Sequence, residues 1–182
     1  GRQLYKAEVP TPMKDSSLTP RIAETAKGLW LSYVLLTVAC GFSLWWVGMD
    51  TWDAVIHAFT VAGLGGFSSK DASIGHFDSL RIEVVVIVFA LLAGLNYATH
   101  YMALVRRSIR PYYRDPEIPF YFGVLGVSVA MLTVFLLAEG EFNEIGEALR
   151  YVAFHVVSIS TSLGLSTYDY TLWPMFAQLW LL

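Results

Sequence analysis

Long uncharged apolar runs set the reading of this chain. Leu29 to Val47, Val84 to Val105 and Ile118 to Ala138 each hold the roughly 20 consecutive apolar residues that a bilayer-crossing helix needs. Between the first two runs, and after the third, lie segments that are only partly apolar. The first begins Thr51-Trp52-Asp53-Ala54-Val55-Ile56-His57 and ends in the glycine-rich string Gly63-Leu64-Gly65-Gly66-Phe67-Ser68-Ser69. This predicts a short helix over 51–62, with Thr51 as its N-cap and Asp53 in its first turn, opening into a loop over 63–69. Successive spans are antiparallel, so such a segment must leave and re-enter on one side. A re-entrant helix does this, with the negative end of its dipole aimed at the membrane centre, where a cation is favoured. Irregular backbone at that depth has to be buried by protein or line a watery cavity.

Searching the chain against itself gives a match at a constant offset of 98. His57 pairs with His155, Gly66 with Gly164, Ser68 with Ser166 and Asp71 with Asp169; hydroxyl residues Thr60 and Ser69 pair with Ser158 and Thr167. The predicted fold class is therefore an all-α integral membrane protein built from repeats of span, re-entrant pore helix with loop, and span. The first repeat covers 29–105, with spans 29–48 and 84–105. The second covers 118–182, with span 118–138, pore helix 146–160 and loop 161–167, and is cut off at its closing span. Residues 1–28 and 106–117 are the remaining segments. The chain starts without methionine and ends inside an apolar run, so it is expected to be an internal piece of a longer protein.

Composition agrees. The chain of 182 residues is 55% apolar and 15% charged, with mean hydropathy +0.53 and net charge -3. A soluble globule carries about 25% charged residues, and a nucleic-acid binder would be basic, so both are excluded. Cys40 is the only cysteine, which rules out an intrachain disulfide. No His-Glu-x-x-His, Gly-x-Ser-x-Gly or P-loop string is present, and no enzymatic role is expected.

Charge sets the orientation. Arg2, Lys6, Lys14, Arg21 and Lys27 precede the first span, and Arg106, Arg107, Arg110 and Arg114 follow the second, together nine of the twelve basic residues. Cytoplasmic loops keep positive charge, so 1–28 and 106–117 are assigned to the cytoplasm. The other side holds Asp50, Asp53, Asp71, Asp78, Glu83, Glu139, Glu141, Glu144, Glu147 and Asp169 against Lys70, Arg81 and Arg150. That acidic face is either simply solvated or focuses cations at a pore mouth. Asp71 and Asp169 either concentrate cations there or cap the following helices.

Glycine at a loop's turning point frees successive carbonyls to point one way and replace the water shell of a monovalent cation. The candidate ligands are the carbonyls of Leu64, Gly65, Gly66 and Phe67 in the first loop and Leu163, Gly164 and Leu165 in the second, with Ser68 and Ser166 as supporting hydroxyls. About four such loops make a ring, so the rest must come from further sequence or another subunit. His57 and His155 are read as ties between pore helix and backbone rather than ion ligands. Asn96 and His100 are read as an interhelical hydrogen-bond clamp on the second span, and Trp30, Trp45, Trp46 and Trp52 as interfacial anchors. The competing reading is a secondary transporter with discontinuous helices coupled to sodium or protons, disfavoured because the three apolar runs contain no acidic residue. A non-conducting membrane scaffold is the third.

The strings Gln3-Leu4-Tyr5-Lys6-Ala7-Glu8, Pro20-Arg21-Ile22-Ala23-Glu24-Thr25-Ala26-Lys27, Gly65-Gly66-Phe67-Ser68, Asp71-Ala72-Ser73-Ile74-Gly75 and Arg114-Asp115-Pro116-Glu117 occur in order along nearly the whole chain. On them the chain resembles the TrkH/KtrB family of bacterial potassium-uptake subunits, within it the TrkH branch. The resemblance implies four unequal pore repeats in the full polypeptide, this chain supplying the second and most of the third, with Gly66 and Gly164 as filter glycines. It also implies potassium uptake across the bacterial inner membrane, a homodimer, a cytosolic nucleotide-binding regulatory partner, and no cofactor, potassium being cargo. The second loop departs from the pattern at Ser162, Leu163 and Leu165, a departure that bears on potassium-over-sodium preference.

Overall fold

A computed structural model of the chain describes residues 22–182, with side chains from residue 26 onward. Most of the 1–28 segment, with Arg2, Lys6, Lys14 and Arg21 and the first two family-like strings, lies outside the described residues. The order is α1 (Ile22–Trp46), α2 (Thr51–Gly63), a 3-10 turn (Ser73–Phe77), α3 (Leu80–Ala93), α4 (Tyr97–Arg106), α5 (Arg110–Arg114), α6 (Glu117–Ala138), α7 (Ile145–Ser160), a second 3-10 turn (Tyr170–Leu172) and α8 (Met175–Leu181). No strand occurs among the described residues.

Two helices, Ala26–Trp46 within α1 and Glu117–Ala138, are long and apolar enough to cross a membrane, and a third crossing exists if α3 and α4 count together. Outer faces of α1 and α6 expose Trp30, Val38, Phe42, Phe120, Val127 and Val134, a surface suited to lipid or to further helices. Trp45, Trp46 and Trp52 are also exposed.

Small residues let the re-entrant helix press against the first span. An added Cβ on Gly41 would stand 3.2 Å from the Ala58 Cβ, the kind of close approach that replaces the hydrophobic effect as a packing force inside lipid. Cys40 and Leu44 of α1 then close over Ala54, Ala58 and Val61 of α2 and Ile82, Val86 and Ala90 of α3. Phe154 and Val157 of α7, with Leu163 and Leu165, complete the same core. Helix α7 therefore packs against the helices of the first repeat. A second core joins Leu125, Leu132 and Leu136 of α6 to Ala148, Val152 and Val156 of α7 and to Trp173, Ala177 and Leu181.

Three local expectations are corrected. The N-cap of α2 is Asp50, whose carboxylate accepts from the Trp52 N–H at 3.0 Å, and not Thr51. The run 84–105 is two helices bent by 91° at Gly94-Leu95-Asn96, not one. Asn96 is consequently not part of an interhelical clamp: its side chain caps α4 by accepting from the Ala98 N–H at 2.9 Å. His100 does form a clamp, but across the bend, with Nε2 2.9 Å from the Leu92 carbonyl oxygen and Nδ1 2.7 Å from the Tyr112 hydroxyl. Tyr97, at the start of α4, donates to the Ala62 carbonyl at 2.9 Å, fixing the bend against the end of α2. Because α3 begins at Leu80, it also carries Glu83, which is fully buried. The run 84–105 itself contains no acidic residue, and α3 extends it by four residues that include this buried carboxylate.

Candidate functional site

Helices α2 and α7 are followed by matching turns. Leu64 and Ser162 stand at corresponding positions after α2 and α7, and both adopt left-handed backbone, φ 49° and 63°. Side chains there are disfavoured by roughly 1–2 kcal/mol, so the turn is held by its surroundings. Two residues on, Gly66 and Gly164 have φ 74° and 75°, the same conformation reached by two different stretches of sequence.

Hydrogen bonds repeat with the same offset. Leu64 N–H donates to the Val61 carbonyl and Ser162 N–H to Ile159; Gly65 N–H donates to Thr60 and Leu163 N–H to Ser158. The Thr60 hydroxyl donates to the Phe67 carbonyl at 2.8 Å, and the Ser158 hydroxyl to the Leu165 carbonyl at 2.6 Å. Each helix thus clasps its own loop seven residues on and engages one of its carbonyls. Ser158→Ala strands the buried Leu165 carbonyl and is expected to cost about 1–3 kcal/mol, read as a lower thermal inactivation midpoint of the full-length protein in detergent. Ser158→Thr should retain most of the wild-type value.

The histidines lie behind the loops. His57 and His155 are fully buried. His57 Nδ1 is 2.7 Å from the Asp53 carbonyl oxygen, which can only accept, so Nδ1 carries a proton; in the neutral ring Nε2 then accepts from the Ser68 hydroxyl at 3.0 Å. Ser68 in turn accepts from the Lys70 N–H at 3.1 Å. His155 stands between the Tyr151 and Tyr168 carbonyl oxygens, at 2.8 and 3.0 Å; a neutral ring can donate to only one of them. Each ring ties its own helix, α2 or α7, to the segment of chain leaving the loop that follows it.

A further tie changes chemistry between the repeats. In the first, Asp53 accepts from the Ser69 hydroxyl at 2.6 Å and pairs with Lys70 at 3.1 Å. The Ser69 hydrogen bond, with Lys70 beside it, holds the Asp53 carboxyl below its ordinary range. At the corresponding positions of the second repeat, Tyr151 and Tyr168 bring their rings to 5.1 Å. An ion pair is replaced by an aromatic pair at the same joint.

The two loops meet. An added Cβ on Gly66 would stand 3.0 Å from the Leu163 carbonyl oxygen and 3.8 Å from the Gly164 Cα; one on Gly164 would stand 3.7 Å from the Gly66 Cα. Below them in sequence, the Gly75 N–H donates to the Ser166 carbonyl at 3.1 Å, and the Ser166 N–H donates to the Ser73 hydroxyl at 3.1 Å. Ser68 and Ser166 therefore do different work, one on a histidine and one on the neighbouring repeat. Asp71 is exposed, while Asp169 caps its 3-10 turn, accepting from the Thr171 N–H at 3.1 Å and the Thr171 hydroxyl at 2.6 Å. Phe67 is exposed, but Leu165, its counterpart, is buried in the first core.

The whole chain, residues 1–182, matches the family model described as TrkH: Cation transport protein. The chain belongs to the TrkH family. It is 45% identical over all 182 residues to the Trk system potassium uptake protein TrkH of Escherichia coli K12, of which it covers 38%, and 39% identical over 184 aligned positions to TrkH of Vibrio parahaemolyticus, covering 38% of that protein. The crystal structure of the potassium transporter TrkH from Vibrio parahaemolyticus superposes with a TM-score of 0.84 at 36% identity, over 92% of this chain and 36% of that one. The chain thus spans under two-fifths of the length of these relatives.

Sequence reasoning missed one part of this TrkH-family site. Arg150 of α7 donates from Nε to Glu83 Oε2 at 2.8 Å and from Nη2 to Glu83 Oε1 at 2.7 Å, and reaches Asp78 Oδ1 at 2.9 Å. The bond to Glu83 pushes the guanidinium pKa further up, so Arg150 stays charged. The available signal was Arg150 as the one Lys or Arg in α7, on the acidic side of the chain.

Proposed function

We propose that this chain supplies two of the filter segments of a channel-like potassium-uptake protein of the bacterial inner membrane. Backbone carbonyls of Leu64, Gly65 and Gly66, and of Leu163 and Gly164, replace part of the ion's water shell. The observation that carries the reading is the contact of Gly66 and Gly164, two left-handed glycines at the ends of two equivalent re-entrant helices. Phe67 and Leu165 face differently in this role, since their carbonyls are already engaged by Thr60 and Ser158; the carbonyls of residues 64–66 and 163–164 are the principal ligands. The remaining filter segments come from the rest of the full-length protein, which works as a homodimer with a cytosolic nucleotide-binding regulatory partner.

The coupled-carrier alternative is not favoured. Glu83, the acidic side chain that α3 buries, has both carboxylate oxygens engaged by Arg150.

The test is potassium uptake by the full-length protein in cells lacking their own uptake systems. Growth at low external potassium, with sodium a weak competitor, is expected; uptake that is absent, or that sodium blocks at equal concentration, contradicts the reading. Lys70 and Arg150 are neutralised by carboxylates, leaving the outer mouth acidic. Asp71→Asn is therefore expected to raise the half-saturating potassium concentration by about twofold at low ionic strength and not at high, since a Debye length of ~10 Å at 0.1 M screens an exposed charge. Asp169→Asn, with its carboxylate engaged by Thr171, should do less.

A further inference from the structure

We propose that the Glu83–Arg150 pair is a positioning device that sets the height of the second filter loop against the first. The inference rests on the filter reading above and adds residues that do not touch the ion.

The pair sits where the two repeats join. Glu83 belongs to the closing helix of the first repeat and is 1% exposed, and Arg150 belongs to the pore helix of the second. Both guanidinium contacts to Glu83 are short and parallel, a fork geometry that fixes distance and angle together. The third contact, to Asp78, reaches the segment that leaves the first loop. That same segment bonds the second loop through Gly75 and Ser73 to Ser166. From Arg150 the rigid helix α7 runs eight residues on to Ser158, which holds the Leu165 carbonyl. A closed path of hydrogen bonds therefore passes from the first loop's exit through Arg150 and α7 to the second loop and back.

The pair is not part of the repeat. At the offset of 98, Arg150 corresponds to Trp52, which is exposed, Glu83 to Leu181 and Asp78 to Phe176. Conformation of each loop is handled by contacts both repeats share, the hydroxyl clasp and the histidine tie. Relative placement of the two loops needs something that only the junction has. Sliding α7 along its axis would move the Leu163 carbonyl relative to Gly66, where even an added Cβ would stand only 3.0 Å from that oxygen, and Arg150 anchors α7 against that motion.

The experiment compares full-length wild type, Glu83→Gln/Arg150→Met, Arg150→Lys and Gly66→Ser for potassium-over-sodium preference at matched membrane abundance. The double variant leaves no unpaired buried charge, and lysine keeps the charge but not the planar fork. A fall in preference of roughly tenfold, equivalent to about 1.4 kcal/mol between the two ions, is expected for the double variant, and a smaller fall for Arg150→Lys. Wild-type preference in the double variant overturns the proposal. Should that variant be absent from the membrane, wild-type preference in Arg150→Lys overturns it instead. Gly66→Ser separates the two ideas: if it also keeps wild-type preference the filter reading itself has failed, whereas altered preference in Gly66→Ser alone removes only the positioning role.

Discussion

Gly66→Ser in the full-length protein is expected to reduce potassium uptake more severely than Gly164→Ser. Both positions have left-handed backbone, φ 74° and 75°, where a side chain costs roughly 1–2 kcal/mol. They differ in what surrounds them. A Cβ at 66 meets the Leu163 carbonyl oxygen at 3.0 Å, so the substitution displaces a carbonyl of the neighbouring loop as well as straining its own. At 164 the nearest atom is the Gly66 Cα at 3.7 Å, an ordinary contact, and only local strain remains. Initial uptake rates at matched membrane abundance should fall by about tenfold or more for Gly66→Ser, the equivalent of ~1.4 kcal/mol, and by less for Gly164→Ser. The reverse order, or two silent substitutions, would contradict the loop contact as described.

Removing Arg150 alone should be the most destabilising change at the repeat junction. Arg150→Met leaves Glu83 buried without its partner, and breaking a buried pair from one side costs about 3–5 kcal/mol. Arg150 is a quarter exposed in its side chain, so water reaching the site should bring the loss to the lower end of that range. Glu83→Gln/Arg150→Met should recover most of it, because replacing both charges avoids the unpaired carboxylate. Thermal inactivation midpoints in detergent would show this as a large drop for the single variant and near wild-type behaviour for the double. Equal midpoints for all three proteins would mean that the pair holds nothing.

Features carried by residue type at fixed spacing were legible in the sequence. Gly66 and Gly164, His57 and His155, and Thr60 and Ser158 stand out at one offset because each has a backbone or hydrogen-bonding duty that few other residues perform, and the structure gives each pair matching geometry. The apolar runs at 29–47 and 118–138 were legible for the same reason, since crossing lipid leaves little freedom in composition.

What escaped depends on partners distant in the chain or on competition between local signals. Gly94-Leu95-Asn96 lies inside an apolar run, and hydropathy averaged over a window cannot register a three-residue break. Asn96 did carry the signal, as a residue suited to capping a new helix, but inside an apparent span a polar side chain reads first as an interhelical contact. Glu83 and Arg150 are far apart in sequence, and nothing in spacing joins them. Phe67 and Leu165 occupy equivalent positions with opposite burial, because α7 packs into the first repeat's core while Phe67 faces away from it. Such asymmetry between repeats arises from tertiary packing and leaves no trace in either segment alone.

The central claim is that the loops ending at Gly66 and Gly164 hold a potassium-like ion with their main-chain oxygens. Anomalous diffraction from crystals of the full-length protein grown with rubidium in place of potassium tests it most directly. The account predicts rubidium peaks against the carbonyls of residues 64–66 and 163–164, weakened in Gly66→Ser crystals. Rubidium bound elsewhere, with none between these two loops, would contradict it.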